Sequence, residues 1–140
     1  RLDLGGWANP HRPAEEQVDY LLDARFQAEF YLTQIVSHHS IAAVERFLAE
    51  ARRRQVPYPG VFGVFLYRSA NPATLAKLSD FFPVPGVELT REFAAGMTPE
   101  EICAKSVRML RDVGADKVYL SNLGFQGVDR RYRRIVELLE

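Results

Sequence analysis

This sequence of 140 residues contains a single cysteine, and its positive and negative charges balance. Because Cys103 is the only cysteine, the chain can form neither an internal disulfide nor a cysteine-based metal cluster. Lys plus Arg and Asp plus Glu number 18 each, so the formal net charge is zero. A nucleic acid or an anionic membrane as main partner requires a basic surface, and neither is therefore expected.

Long apolar runs are missing as well. None reaches the roughly 18 residues that a membrane span needs, and no basic-then-apolar signal segment opens the chain. We therefore expect a cytoplasmic protein with no membrane partner. Hydrophobic residues make up 47% of the chain and charged residues 26%, which is typical of a globular domain. The chain begins with Arg1 instead of Met, which favours a segment from within a longer protein.

Strand-like and helix-like segments alternate along the chain. Runs rich in aromatic and β-branched residues predict strands over 2–8, 30–36, 61–66 and 117–121. Four or five helices are predicted between and after them. Thr98 and Glu101 form a capping box for one of these helices, and Asn71 followed by Pro72 begins another. Cys103 falls in an apolar helical stripe and is expected in the core.

This order predicts an α/β fold with parallel strands joined by helical crossovers. Four βα units are half of a (βα)8 barrel, which takes about 250 residues in full. A flavodoxin-like sheet usually has five strands. We therefore interpret residues 1–140 as a single segment, the C-terminal half of a TIM barrel, with the N-terminal half outside this chain.

Functional sites in such folds form where the strands end. Neutral polar side chains dominate these positions. Gln34 stands out because a buried amide must find hydrogen-bond partners. Two interpretations stay open: its amide bonds to a neighbouring loop backbone, or it both donates to and accepts from the edge of a heterocyclic ligand.

The histidines also cluster at this end of the predicted sheet. His38 and His39 are adjacent, so on a strand their side chains would point to opposite faces. No carboxylate lies near them in the sequence. We therefore expect capping or loop roles and no metal site, although a barrel hydrolase with a histidine metal centre stays a third hypothesis.

Four segments resemble the methylenetetrahydrofolate reductase family. They are GGWANPH at residues 5–11, YLTQIV at 31–36, GVFL at 63–66 and KVYLSN at 117–122. The Thr33-Gln34 pair stands where that family ends a barrel strand in Thr-Gln. The resemblance spans nearly the whole chain, as the C-terminal half of the family's barrel.

The resemblance implies a chemistry and a set of site residues. Family members use NAD(P)H, through bound FAD, to reduce 5,10-methylenetetrahydrofolate to 5-methyltetrahydrofolate. The resemblance assigns no catalytic residue to this half of the barrel. By its matches, the substrate-binding residues are Gln34, Tyr67, Arg68 and Asn71, and the cofactor-binding residues are Trp7, Asn9, His11 and Gln17.

Two alternatives to a flavin-dependent reductase remain open. One is a flavin-independent reductase. The first helix carries Gln17 and Asp19 where the family offers polar and basic groups to the FAD diphosphate, so a basic contact to FAD is lost. The other is a barrel that binds a folate or a corrinoid partner without reducing it. A homo-oligomer is compatible with all of these.

The half-barrel interpretation makes a prediction about the isolated chain. Its outer strands, 2–8 and 117–121, would each present an unpaired edge that a full barrel closes. Residues 1–140 alone should therefore be inactive and should self-associate in sedimentation experiments. Cooperative unfolding of a stable monomer would contradict the interpretation.

Overall fold

Four parallel strands form one sheet in the computed structural model, which describes residues 2–140. The strands are β1 (Gly5–Ala8), β2 (Phe30–Ile35), β3 (Gly60–Phe65) and β4 (Val118–Ser121). They lie side by side in the order β1-β2-β3-β4, and each neighbouring pair is parallel. The prediction of a parallel α/β sheet is confirmed. β1 and β4 are its two outer strands, each shorter than the segment predicted.

Six α-helices accompany the sheet, against the four or five predicted. They are α1 (Ala14–Leu22), α2 (Ile41–Arg53), α3 (Pro72–Leu78), α4 (Gly86–Ala94), α5 (Pro99–Asp112) and α6 (Val128–Leu139), and a 3-10 turn at His38–Ser40 precedes α2. The prediction was too low because three separate helices connect β3 to β4. None of the helices in the described part of the chain has the length and apolar character that crossing a bilayer requires.

The capping signals lie where the helices begin. Thr98 accepts a hydrogen bond from the backbone of Glu101, and the Glu101 side chain accepts one from the backbone of Thr98. Asn71 Oδ1 accepts from the Thr74 N–H at 3.1 Å, with Pro72 in the first turn of α3. These caps satisfy backbone donors that a helix leaves unpaired at its start.

The main core lies between one face of the sheet and a layer of four helices. α1 packs against α2, α2 against α5, and α5 against α6, so this layer follows the chain order of the strands. Cys103 is 1% exposed there, as expected, and burial raises the pKa of its thiol to about 12. The largest fully buried side chains of this core include Phe47, Phe62, Leu66, Leu110 and Ile135.

The opposite face of the sheet has a different character. Trp7 pairs in register with Leu32, and Leu32 with Val61, so the three residues form a row across three strands. Alternation along each strand places this row opposite the core residues Ala8 and Phe62. Trp7 is 51% exposed, and Leu32 and Val61 are half-buried. This row marks an apolar face that the helix layer does not cover.

A second apolar cluster covers the carboxyl end of the strands. It joins Ile35 and Tyr67 to Leu75 of α3 and Leu89 of α4. Phe82, between the two helices, belongs to the same cluster. The helices α3 and α4 therefore pack at the end of the sheet where functional residues are expected.

β2 contains a bulge at its carboxyl end. Leu32 pairs with Val61 but Ile35 pairs with Gly63, so β2 advances three residues while β3 advances two. Thr33 Oγ1 accepts the Gly63 N–H at 3.1 Å and donates to the Gln34 carbonyl at 2.9 Å. Such bulges are over-represented beside active sites, where they redirect a side chain.

Tyr119 holds the bulge from β4, two strands away. Its hydroxyl donates to the Thr33 carbonyl at 2.6 Å. The phenol passes directly over Gly63, where a Cβ atom would collide with it. Glycine at this position therefore lets β4 contribute a hydrogen bond to β2 across β3.

The bulge yields a stability prediction. Thr33→Val keeps the shape but leaves the buried Gly63 N–H without its acceptor, so the free energy of unfolding should fall by about 1–3 kcal/mol in urea. Thr90→Val is the control, because Thr90 is exposed and bonds only within its own helix. It should change stability by less than about 0.5 kcal/mol. Equal losses in both variants would contradict the role given to Thr33.

Candidate functional site

The residues that end the four strands lie at one end of the sheet, because the strands are all parallel. Asn9, Gln34, Arg68 and Asn122 stand at or just beyond the carboxyl ends of β1, β2, β3 and β4. Arg68 Nη2 donates to the Asn122 carbonyl at 3.2 Å, and Asn122 Nδ2 donates to the Leu66 carbonyl at 3.0 Å. These bonds tie the ends of β3 and β4 together.

Three of the residues assigned to cofactor binding build the connection between β1 and α1. The Asn9 N–H donates to Gln17 Oε1 at 2.8 Å, and Asn9 Oδ1 accepts from the His11 N–H at 3.0 Å. His11 Nε2 lies 2.7 Å from the Ile35 carbonyl at the end of β2. The polar atoms of these side chains therefore fix the shape of the loop.

The same loop fits a flavin diphosphate poorly. Gln17 is only 7% exposed, and its amide oxygen is already engaged. The positive partial charge at the start of a helix can stabilise a phosphate group. In α1 the first turn already carries two carboxylates, Glu15 and Glu16, which oppose a second anion there. Asp19, the other departure from the family pattern, pairs with Arg54 Nη1 at 2.6 Å. The side chains assigned to FAD thus offer its diphosphate no fixed positive charge.

Gln34 connects the bulge to the segment between α3 and α4. Its Oε1 accepts the Ile35 N–H at 2.9 Å, and its Nε2 donates to the Phe81 carbonyl at 3.1 Å. Of the two interpretations of Gln34, the structure therefore shows the first, in which the amide bonds to the backbone of a neighbouring loop. An amide has two donor hydrogens and two acceptor lone pairs, so one of each is left for a ligand.

The remaining substrate residues differ in accessibility. Tyr67 is 5% exposed and packs against Phe65 with ring centroids 5.0 Å apart, so its ring cannot stack on a ligand at the open face. Burial raises the pKa of its phenol, and its hydroxyl has no hydrogen-bond partner among residues 2–140. Asn71 caps α3, and Arg68 is exposed.

Sequence reasoning missed Phe81. This residue is 75% exposed, and its backbone carbonyl accepts from Gln34. The neighbouring Phe82 is buried in the cluster at the carboxyl end. The two phenylalanines look alike in the sequence, and only the turn after α3 decides which of them points to solvent.

His38 and His39 lie in a loop, as expected, but their side chains do not point to opposite faces. Both belong to the 3-10 turn before α2, and their ring centroids are 3.9 Å apart. His38 Nε2 lies 2.8 Å from Glu92 Oε2, and His39 Nε2 lies 2.5 Å from Glu92 Oε1. The carboxylate that the sequence did not place beside them comes from α4, more than 50 residues further along the chain.

Polar side chains of α5 surround this histidine–glutamate cluster (His38, His39 and Glu92). His38 Nδ1 lies 2.7 Å from Ser106 Oγ on α5, and Lys105 Nζ lies 3.6 Å from Glu92 Oε2. Burial opposes ionisation of Glu92, but the hydrogen bonds from His39 and His38 outweigh it and hold the pKa of the carboxyl below its ordinary value. Burial lowers the pKa of His38. The cluster therefore holds one buried carboxylate within hydrogen-bond distance of two imidazoles.

A cavity of about 470 Å³ adjoins the cluster. The turn after β2, the start of α2 and the segment between α3 and α4 form its walls. His39 contributes to the wall, together with His11, Arg46, Tyr67 and Glu88. Through His39, the histidine–glutamate cluster therefore borders this cavity.

Comparisons with known proteins give no family assignment. No family model matches the chain, and no curated protein sequence matches it.

The cluster gives a second stability prediction. In Glu92→Gln the amide keeps one accepting oxygen and turns its NH2 group toward the other imidazole. At least one hydrogen bond to a charged group is lost, so unfolding in urea should become about 1.5–3 kcal/mol easier. Glu88→Gln, on the same helix and exposed, should change stability by less than about 0.5 kcal/mol. A variant at Glu92 as stable as the one at Glu88 would show that the cluster contributes nothing to folding.

Proposed function

We propose that this chain is the C-terminal half of a (βα)8 barrel that reduces 5,10-methylenetetrahydrofolate to 5-methyltetrahydrofolate with NAD(P)H. The remaining half-barrel would be its structural partner. The reaction would belong to cytoplasmic one-carbon metabolism.

The order of the strands supports the barrel. Right-handed crossovers between parallel strands laid in chain order place every crossover on the same face. A doubly wound sheet instead reverses its order at a switch point and has helices on both faces. Here the order runs β1-β2-β3-β4 without a reversal, and the row Trp7, Leu32 and Val61 lies on the face away from the helix layer. In a closed barrel this face would point inward.

The position of Gln34 carries the functional proposal. Its amide is fixed by two hydrogen bonds at the carboxyl end of β2, where barrel active sites form. One donor and one acceptor are left, which suits the edge of a pterin ring. Phe81, whose backbone carbonyl accepts from Gln34, has an exposed ring that is available to stack on a planar substrate in place of the buried Tyr67.

The reaction transfers a hydride from C4 of the reduced nicotinamide to the methylene carbon of the folate. The bond from that carbon to one folate nitrogen breaks, that nitrogen takes up a proton, and the nicotinamide is oxidised. The residues matched to FAD offer its diphosphate no fixed positive charge, so no step is assigned to a flavin. We favour the flavin-independent form of the reductase for this reason.

A binding protein without catalytic activity is the second candidate. The strand ends that the chain contributes carry Asn9, Gln34, Arg68 and Asn122, none of which is a general acid. Such an edge would suit a barrel that holds a folate or a corrinoid partner without reducing it.

Two measurements on the purified full-length protein separate these possibilities. Methylenetetrahydrofolate-dependent oxidation of NADH or NADPH without flavin absorbance is the expected result. Flavin absorbance in the active protein would restore the FAD-dependent route. Folate binding without nicotinamide oxidation would favour the binding protein, and absence of both activities would overturn the proposal.

Phe81 gives the sharpest prediction for the substrate. Phe81→Ala removes the stacking surface but keeps the backbone carbonyl that holds Gln34. The loss of about 1 kcal/mol of stacking should raise the folate Kd roughly fivefold by titration calorimetry. Tyr132→Ala, which removes another exposed aromatic ring from α6, should leave the Kd unchanged. An unchanged Kd in Phe81→Ala would remove this residue from the site.

A further inference from the structure

The histidine–glutamate cluster has the composition of a metal site. One ligand atom from each of His38, His39 and Glu92 lies within 4.8 Å of the others. Donor atoms around a tetrahedral ion stand roughly 3.3 Å apart when metal–ligand distances are about 2.0–2.1 Å. The 2.8 Å and 2.5 Å contacts to Glu92 would therefore need to open by less than about 1 Å to admit an ion.

We propose that His38, His39 and Glu92 bind one divalent transition-metal ion of the zinc class. Two imidazoles and one carboxylate suit Zn²⁺ and Co²⁺, whereas Mg²⁺ and Ca²⁺ prefer sites made of oxygen ligands alone. The site is independent of the proposed reductase activity, because none of its three residues is assigned to folate or nicotinamide.

Ser106 supplies the outer support that such sites require. Its hydroxyl lies 2.7 Å from His38 Nδ1 and accepts the His38 backbone N–H at 3.2 Å. A metal-binding histidine almost always uses its second ring nitrogen in a hydrogen bond that orients the ring. Ser106 thus holds His38 with Nε2 directed at Glu92.

The cavity leaves a coordination position accessible. The His38 side chain is 4% exposed and that of Glu92 is 10%, whereas the His39 side chain is 19% exposed and lines the cavity. Three protein ligands with an open side is the arrangement of zinc sites that keep a fourth position for water or a small anion. An ion would reach the cluster past His39.

Lys105 is the cation that a metal must replace. Its Nζ lies 3.6 Å from Glu92 Oε2, and its side chain is 42% exposed, so it can turn outward into solvent. In the metal-free protein, Lys105 and the two imidazoles satisfy the carboxylate. Removal of this positive charge should therefore favour metal binding. In a simple ion-pair network, the same removal would only weaken the network.

The test is titration of the purified full-length protein with Co²⁺ or Zn²⁺ alone. Co²⁺ should bind one equivalent with the visible absorption of a four-coordinate ion, and Zn²⁺ should displace it and raise the melting temperature. Loss of an outer-shell partner typically costs 10–100-fold in affinity, so Ser106→Ala should weaken binding by about that factor and His39→Gln by roughly 100-fold or more. Lys105→Gln should bind more tightly than the parent chain.

Matched controls separate the cluster from other donors. Glu88→Gln removes a carboxylate one turn away on α4, and Asp112→Asn removes an exposed carboxylate at the end of α5; neither should change metal affinity. Circular dichroism of each metal-free variant establishes that it is folded. Absence of stoichiometric binding, or equal affinity in the folded His39→Gln variant and the parent chain, would overturn the proposal and leave a hydrogen-bonded network only.

Discussion

Right-handed crossover between parallel strands is the constraint on which this structure depends. Once β1 to β4 lie in chain order, each connecting segment must return on the same side of the sheet. One face is then buried under α1, α2, α5 and α6, and the other carries Trp7, Leu32 and Val61 without that cover. The open face therefore follows from the order of the strands alone.

Polar groups at the carboxyl end hold one another in place. The bulge in β2 is closed by Thr33, braced by Tyr119 from β4 and linked through Gln34 to the segment after α3. On the other side of the same end, Glu92 of α4 binds both histidines of the turn after β2. The segment from α3 to α4 is therefore attached at two polar points as well as by its apolar cluster.

Local signals in the sequence predicted local structure well. The Thr98–Glu101 capping box and the Asn71-Pro72 helix start depend only on neighbouring residues, and the alternation of strands and helices was sufficient for a parallel sheet. The histidine–glutamate cluster could not be predicted in this way, because it depends on where α4 packs over the end of the sheet. Opposite exposure of Phe81 and Phe82 has the same origin in tertiary packing.

The burial of the only cysteine has a practical consequence. Cys103 sits on α5 against the sheet, and a thiol with a pKa of about 12 is almost never a thiolate near neutral pH. An alkylating reagent can react only in those molecules whose α5 has moved away from the strands. The rate of modification by a reagent in excess thus reports the opening equilibrium of that one interface, and the protein carries a built-in, single-site probe of its own local unfolding.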